Sequence, residues 1–213
     1  MATEVEAKFL AADAAPLEAL AAAETLGEAT LGPAASVDET DIYLDTADGR
    51  LGTARWACRL RDRGRGYRVS LKGPADGELG PSWLHRRPEI EGEATSSFDP
   101  TDWPPGEARD LVVKLALGAT LAERFRLVQR RIERPVWLDD SELGTLSLDV
   151  AAVEHEGVER GRLHIVELEL SMAEDPRSDT RLGQMAISLA AVPGLTADHR
   201  TKMEHAIGLL AAG

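Results

Sequence analysis

Apolar and ionisable residues alternate along much of the chain. Near the start Glu4, Glu6 and Lys8 are interleaved with Val5, Ala7 and Phe9. Successive side chains of an extended strand point to opposite faces, so this spacing predicts a strand with two carboxylates and an ammonium on one face and apolar groups on the other. The alternation returns in ARWACRLR, where Arg55, Ala57, Arg59 and Arg61 oppose Trp56, Cys58 and Leu60. In YRVSLK it sets Arg68, Ser70 and Lys72 against Tyr67, Val69 and Leu71, and Gly73 and Pro74 end the strand. Further on, Arg87, Glu89, Glu91 and Glu93 oppose Pro88 and Ile90. Thr145, Ser147 and Asp149 oppose Leu146, Leu148 and Val150, and Glu167 and Glu169 oppose Val166, Leu168 and Leu170. Each of these strands carries its ionisable residues in phase.

Any one such strand fits an antiparallel sheet with one face in water. The set points further, because its polar faces are sorted into Glu-rich and Arg/Lys-rich ones. Seven of the 24 basic residues fall between Arg55 and Lys72, and five more between Arg124 and Arg134. A sheet closed into a barrel with these faces inward gives one solvent-filled lumen shared by cations and carboxylates. Such a lumen suits a polyanion with bound metal ions, the cations gripping phosphate oxygens and the carboxylates holding the metal. Helical spacing predicts helices at 13–26 (Asp13 as N-cap, Gly27 as stop), 107–117, 181–192 and about 200–211, where Met203, Ile207 and Leu210 form the anchoring stripe. The fold class is therefore α+β, with helices packed on the apolar outside of the barrel. Segments 73–83 and 95–106 are rich in Gly, Pro and Asp and read as loops.

Composition narrows the function. A net charge of −13 argues against a nucleic-acid binder that relies on a basic surface, and 4% aromatic residues leave little for base stacking. The single cysteine, Cys58, excludes an internal disulfide. With no basic-then-apolar leader and no run long enough to span a bilayer, a soluble cytoplasmic protein is expected, with no membrane partner. The five histidines, His85, His155, His164, His199 and His205, show no metal-binding spacing. DRGRGY, with Gly64 and Gly66, reads as a hairpin tip.

The ordered motifs resemble those of the CYTH superfamily, the triphosphate tunnel metalloenzymes. Glu4-Val5-Glu6-Ala7-Lys8 is similar to its ExExK signature, Tyr43-Leu44-Asp45-Thr46 to its YxDT segment, and Arg59-Leu60-Arg61 to its RxR. Ser70-Leu71-Lys72-Gly73-Pro74 resembles its lysine-bearing strand, Glu167-Leu168-Glu169 its late ExE, and Thr201-Lys202 its C-terminal Ser-Lys. The likeness covers essentially all of residues 1–213 as a single CYTH domain and implies a closed antiparallel barrel of eight strands. It implies metal ligation of Mg²⁺ or Mn²⁺ by Glu4, Glu6, Asp149, Glu167 and Glu169. It implies a triphosphate gripped by Lys8, Arg59, Arg61, Lys72, Arg87, Arg131 and Lys202, with Glu4, Glu6, Lys8 and Glu169 at the catalytic centre. In RFRLVQRRIER Arg131 aligns with the lumen arginine, whereas a bulge would put Arg130 there. Glu89 and Glu91 either orient the attacking water or balance the basic side, and Tyr43 either orients a phosphate or serves packing.

The resemblance implies hydrolysis of a triphosphate, with inorganic triphosphate, cleaved to pyrophosphate and phosphate, the first expectation. Thiamine triphosphatases of the family carry Trp two residues before the RxR, and Ala57 stands there in this chain. Thiamine or nucleoside triphosphates remain alternatives, as does a non-catalytic polyphosphate-binding module, alone or joined to a CHAD domain. Glu4→Gln or Glu169→Gln is expected to abolish turnover, and Lys202→Ala to weaken substrate handling with little change in melting temperature. The sequence leaves homodimerisation and the choice between Mg²⁺ and Mn²⁺ open.

Overall fold

The computed structural model describes residues 2–74, 80–139, 141–171 and 178–212. Residues 75–79, within the loop expected at 73–83, lie outside the described residues. The strands are β1 Ala2–Ala11, β2 Thr25–Leu26, β3 Ala29–Leu31, β4 Ala35–Thr46, β5 Ala57–Asp62, β6 Tyr67–Lys72, β7 Leu84–Ala94, β8 Leu121–Leu138, β9 Ser141–His155, β10 Val158–Leu170 and β11 Leu195–Ala197. The helices are α1 Ala15–Ala22, α2 Arg50–Thr53, α3 Glu107–Ala116, α4 Ser178–Ala190 and α5 Lys202–Ala212.

Eight strands pair antiparallel in the order β4-β5-β6-β7-β1-β10-β9-β8, and β8 pairs back onto β4. The sheet is thus a ring of eight strands with α1 to α4 on its apolar outer face, as the alternation implies, whereas α5, also expected there, packs against inner-phase residues. Two apolar layers hold the four outer helices on the ring. Val5, Ala7 and Phe9 of β1 join Leu146, Leu148, Val166 and Leu168 beneath Leu17 and Leu20 of α1 and Leu182, Met185 and Leu189 of α4. Cys58, Leu60, Val69 and Leu71 are covered by Leu51 of α2 and Ala108, Val112 and Ala116 of α3. Each large side chain buried there contributes about 1.5–3 kcal/mol.

A third apolar cluster lies on the inner phase of the ring. Two or more residues beyond the charged positions, Tyr43, Phe125, Leu127, Ala151, Val153, Leu163 and Ile165 occupy the same strand faces. They fill part of the interior together with Ala206 of α5, and Met203, Leu209 and Leu210 pack against them. The helix is therefore anchored by these residues, whereas Ile207, expected in the anchoring stripe, is 50% exposed.

Three local features differ from the sequence expectation. The helix expected over 13–26 ends at Ala22, and residues 25–31 form the β2-β3 hairpin. Gly27 makes the hairpin turn with φ of +60°, and a Cβ on it would meet Ser188 Oγ at 2.3 Å, so both conformation and space demand glycine. The end of α1 is instead held by Arg134, whose buried guanidinium donates to the carbonyls of Leu20, Ala21, Ala23, Leu31 and Gly32. Arg55 precedes β5 and turns left-handed, so the strand begins at Ala57. Among the described residues no helix is long and apolar enough to cross a membrane.

Candidate active site

The ring encloses a cavity of about 950 Å³ lined by Glu4, Glu6, Arg59, Arg61, Lys72, Arg87, Arg131, Glu167, Glu169 and Lys202 among others. Cross-strand register builds it. Directly opposed residues of an antiparallel pair share a face. The pairs Glu4↔Arg87, Glu6↔Glu169, Lys8↔Glu167, Arg131↔Asp149, Tyr43↔Arg59, Asp41↔Arg61 and Lys72↔Glu89 therefore bring the polar phases together around the ring.

On one wall Glu4, Glu89 and Glu169 converge, with one carboxylate oxygen of each within 4.8 Å of the others. Three hard oxygen donors at that separation fit a hydrated Mg²⁺ or Mn²⁺. Burial raises the pKa of Glu4, but Lys72 and Arg87 outweigh it and hold the group at about 2, Arg87 Nε donating over 2.8 Å and Lys72 Nζ also donating to the carboxylate. Glu169 and Glu89 go the other way: burial and the neighbouring Glu4 carboxylate raise both. Glu6 is fully buried, its Oε1 has no hydrogen-bond partner among the described residues and lies 3.5 Å from Arg87, and burial followed by the Glu167 and Glu4 charges raises it to about 7. A buried carboxylate raised by like-charged neighbours gains from a cation bound nearby.

Farther along β10 and on the neighbouring β9, Glu167 and Asp149 are paired with cations. Arg131 forks onto Asp149 with two bonds of 2.7 Å, and Lys202 Nζ donates to Asp149 over 2.5 Å and to Glu167 over 2.7 Å. The five carboxylates assigned to metal by the sequence thus fall into two groups. Glu4 and Glu169 join Glu89, with Glu6 behind Arg87 at 3.5 Å, while Asp149 and Glu167 hold Arg131 and Lys202. Lys8 is fully buried, 3.5 Å from Glu167, with no hydrogen bond on Nζ among the described residues; burial lowers its pKa despite the Glu167 and Glu6 charges. Arg131 faces inward, and Arg130 is exposed and bonds Ser36 on the outside.

Sequence reasoning missed an acidic pair on β4. Asp41, fully buried, accepts from Arg61 Nε at 2.6 Å and Nη2 at 2.8 Å, and from Arg59 at 3.3 Å. Glu39 binds Arg61 at 3.0 Å and Arg63 at 2.7 Å, and Gln129 donates to both acids. These acids aim the RxR arginines into the cavity. Strand β4 hides them, because its polar residues Asp38 to Asp41 are consecutive and show no alternation. Tyr43 stacks on Phe125 with ring centroids 4.6 Å apart. Thr201 and Glu204 cap α5 reciprocally, the Thr201 N–H donating over 2.7 Å to Glu204 and the Glu204 N–H over 3.1 Å to the Thr201 hydroxyl. That cap starts the helix where Lys202 can turn inward, and a buried contact of 2.5 Å between His205 Nε2 and Asp198 fastens it.

Asp41 gives a prediction with a definite sign. Burial by itself raises its pKa, but Arg59 and Arg61 prevail and hold it well below the usual carboxylate range. Its ionised form therefore contributes stability that is complete above the ordinary pKa near 4 and is lost as pH falls through the lowered value. Asp41→Asn is expected to cost about 3 kcal/mol at pH 7, the lower end for breaking a buried pair, because Arg61 keeps Glu39. Urea unfolding from pH 6 to pH 2 should show the variant losing stability less steeply than the parent. Parallel curves would refute the pairing.

Comparison with known proteins gives a consistent fold. A family model described as the CYTH domain matches residues 2–191. The Hippeastrum protein HpAC1, whose structure is described as revealing a dominant triphosphatase activity, superposes with a TM-score of 0.67 at 18% identity, covering 96% of this chain and 95% of that one. A Bacillus halodurans protein with an adenylate cyclase designation gives 0.59 at 16% identity over 96% and 98%. The PH1819 protein of Pyrococcus horikoshii gives 0.54 at 18% identity over 96% and 98%. No curated protein matches.

Proposed function

Since this chain belongs to the CYTH domain family, we propose that it is a metal-dependent triphosphatase that cleaves inorganic triphosphate to pyrophosphate and phosphate. One observation carries the reading: arginines and lysines of the ring face three convergent carboxylates across one cavity. The dominant triphosphatase activity of the Hippeastrum relative agrees with it.

In this reading Arg59, Arg61, Arg87 and Arg131 offer guanidinium N–H groups to phosphate oxygens, and Lys72 and Lys202 add point charges that follow the anion as charge moves to the leaving group. Glu4, Glu89 and Glu169 would hold Mg²⁺ or Mn²⁺, which when bound would neutralise phosphate charge and make a water more acidic. Glu6, whose Oε1 has no hydrogen-bond partner among the described residues, is placed to help order an attacking water. Water adds to the terminal phosphorus, the bond to the bridging oxygen breaks, and pyrophosphate departs. The protein supplies positioning and electrostatics, which suffice for phosphoryl transfer. Substrate preference follows from the weak base platform: among the described residues Tyr43 and Trp56 line the cavity, and Tyr43 is already stacked on Phe125.

Phosphate release with Mg²⁺ or Mn²⁺ is expected to be fastest from inorganic triphosphate, ahead of ATP, GTP, thiamine triphosphate and long polyphosphate. Faster release from ATP would overturn the preference. No release from any of them, with retained binding of polyphosphate, would replace the enzyme by a binding module.

A further inference from the structure

Helix α2 ends in a closure that usually calls for glycine. The Trp56 N–H donates to the Leu51 carbonyl and the Arg55 N–H to the Gly52 carbonyl, both over 2.9 Å, while Trp56 and Leu51 share one apolar cluster. These are the two bonds and the apolar contact of a Schellman motif, whose pivot residue stands left-handed because only then do both N–H groups turn back onto the helix. Here the pivot is Arg55, with φ of +62°. A side chain at that φ crowds its own backbone, so glycine would be the easier choice. The support is rigid: Asp45 accepts the Leu51 N–H at 2.9 Å and the Gly52 N–H at 3.0 Å, which fixes α2 from below.

The strained residue stands at the cavity. Arg55 is exposed, lines the cavity beside Trp56, Ala57, Lys72 and Gly73, and makes no ion pair among the described residues. The arginines of β5 are engaged, Arg59 and Arg61 with Asp41, and Arg63 just beyond it with Glu39, while Arg65, at the hairpin tip, makes no ion pair among the described residues. Between Arg55 and Arg59 the wall is formed by Ala57, whose methyl leaves the gap open. Arg55 lies four residues before Arg59 and outside β5, yet both side chains line the cavity, where two guanidinium groups can hold one chain of phosphates.

We propose that Arg55 is a specificity-determining residue that grips the free terminal phosphate of inorganic triphosphate at the cavity rim, favouring the unesterified chain over nucleoside esters. The inference rests on the triphosphatase reading above. A free terminal phosphate offers three unshared oxygens to a forked guanidinium, whereas the esterified end of ATP offers fewer oxygens, less charge and a bulky group in the same place.

Arg55→Gly separates this role from a structural one, because glycine relaxes the backbone. Expected results are a fall of about 10-fold or more in kcat/KM for triphosphate, the range for a lost charge-assisted contact. For ATP the change stays under about twofold, since the same contact is absent. The melting temperature should be unchanged or raised. Calorimetric titration of triphosphate into metal-free parent and variant checks the contact without turnover, and Arg55→Lys should recover part of the affinity. Equal losses on both substrates, or no loss on either, would overturn the inference, as would a lowered melting temperature with unchanged triphosphate binding. If the parent protein neither binds nor hydrolyses triphosphate, the functional reading falls and this inference with it. A parent that binds triphosphate no better than Arg55→Gly does overturns this inference alone.

Discussion

Glu169→Gln is expected to lower kcat for triphosphate by about 10²–10³-fold, the scale seen when one preorganised charge-stabilising group is removed from a reaction centre. The carboxylate belongs to the convergent trio and is the exposed member of it, so the change removes a ligand oxygen without opening the core. Stability should hold or rise slightly. Burial and the Glu4 charge already raise the Glu169 pKa, which means that its ionised form is unwelcome in the metal-free protein, and a neutral amide of the same shape relieves that repulsion. Steady-state turnover, repeated over a wide range of Mg²⁺ and Mn²⁺ concentrations, is the measurement. Partial recovery at high metal supports ligation. Near-normal activity at modest metal would falsify the assignment of this carboxylate.

Lys202→Ala carries the other large effect, and here the structure changes the expectation. The sequence suggests a lysine bent into a tunnel mouth, whose loss leaves the melting temperature alone. In the fold its ammonium is 7% exposed and joins Asp149 and Glu167 in a buried cluster. Removing it leaves two carboxylates short of a cation, with Arg131 on Asp149 and Lys8 at 3.5 Å from Glu167 to compensate in part. The expected cost is about 3–5 kcal/mol, the range for breaking a buried pair from one side. For a chain of this size each kcal/mol lowers the melting temperature by about 2–4 °C, so the fall should exceed 6 °C. Lys202→Met, which fills the space without the charge, should be equally destabilised if the charge is what matters. A melting temperature unchanged in both variants would show that the cluster contributes nothing net.

What could be read from the sequence was whatever alternation exposes. The inner phases of β1, β5, β6, β7, β9 and β10 are spelled out residue by residue, because charge on every second position means one face whatever lies opposite. Register is not spelled out. Which carboxylates converge depends on Glu6 standing opposite Glu169 and on β7 lying beside β1, so Glu89 entered the trio only through the fold, and Asp149 and Glu167 turned to Arg131 and Lys202. Strand β4 was opaque for a related reason. Its outer face carries Asp38 and Thr40, so Glu39 and Asp41 did not stand out as an inward pair. The first hairpin strand, Thr25–Leu26, reads as the end of a helix because the alanine-rich run leads straight into it, and only Gly27, read as a helix stop, marks the turn.

The position of β1 in the ring has a consequence for how the protein is made. It lies between β7 and β10, so β1 is synthesised long before one of its two ring neighbours, which is complete only when the chain has reached residue 170. At about 5–20 residues per second a nascent chain spends on the order of ten seconds or more with that strand unpaired on one side. An unpaired strand recruits other chains unless charge prevents it. Glu4, Glu6 and Lys8 stand on alternate positions of it, so the groups that face the cavity in the finished protein also serve as gatekeepers on the ribosome. Neutralising two of them at once should lower soluble yield during synthesis more than it lowers the stability of protein already folded.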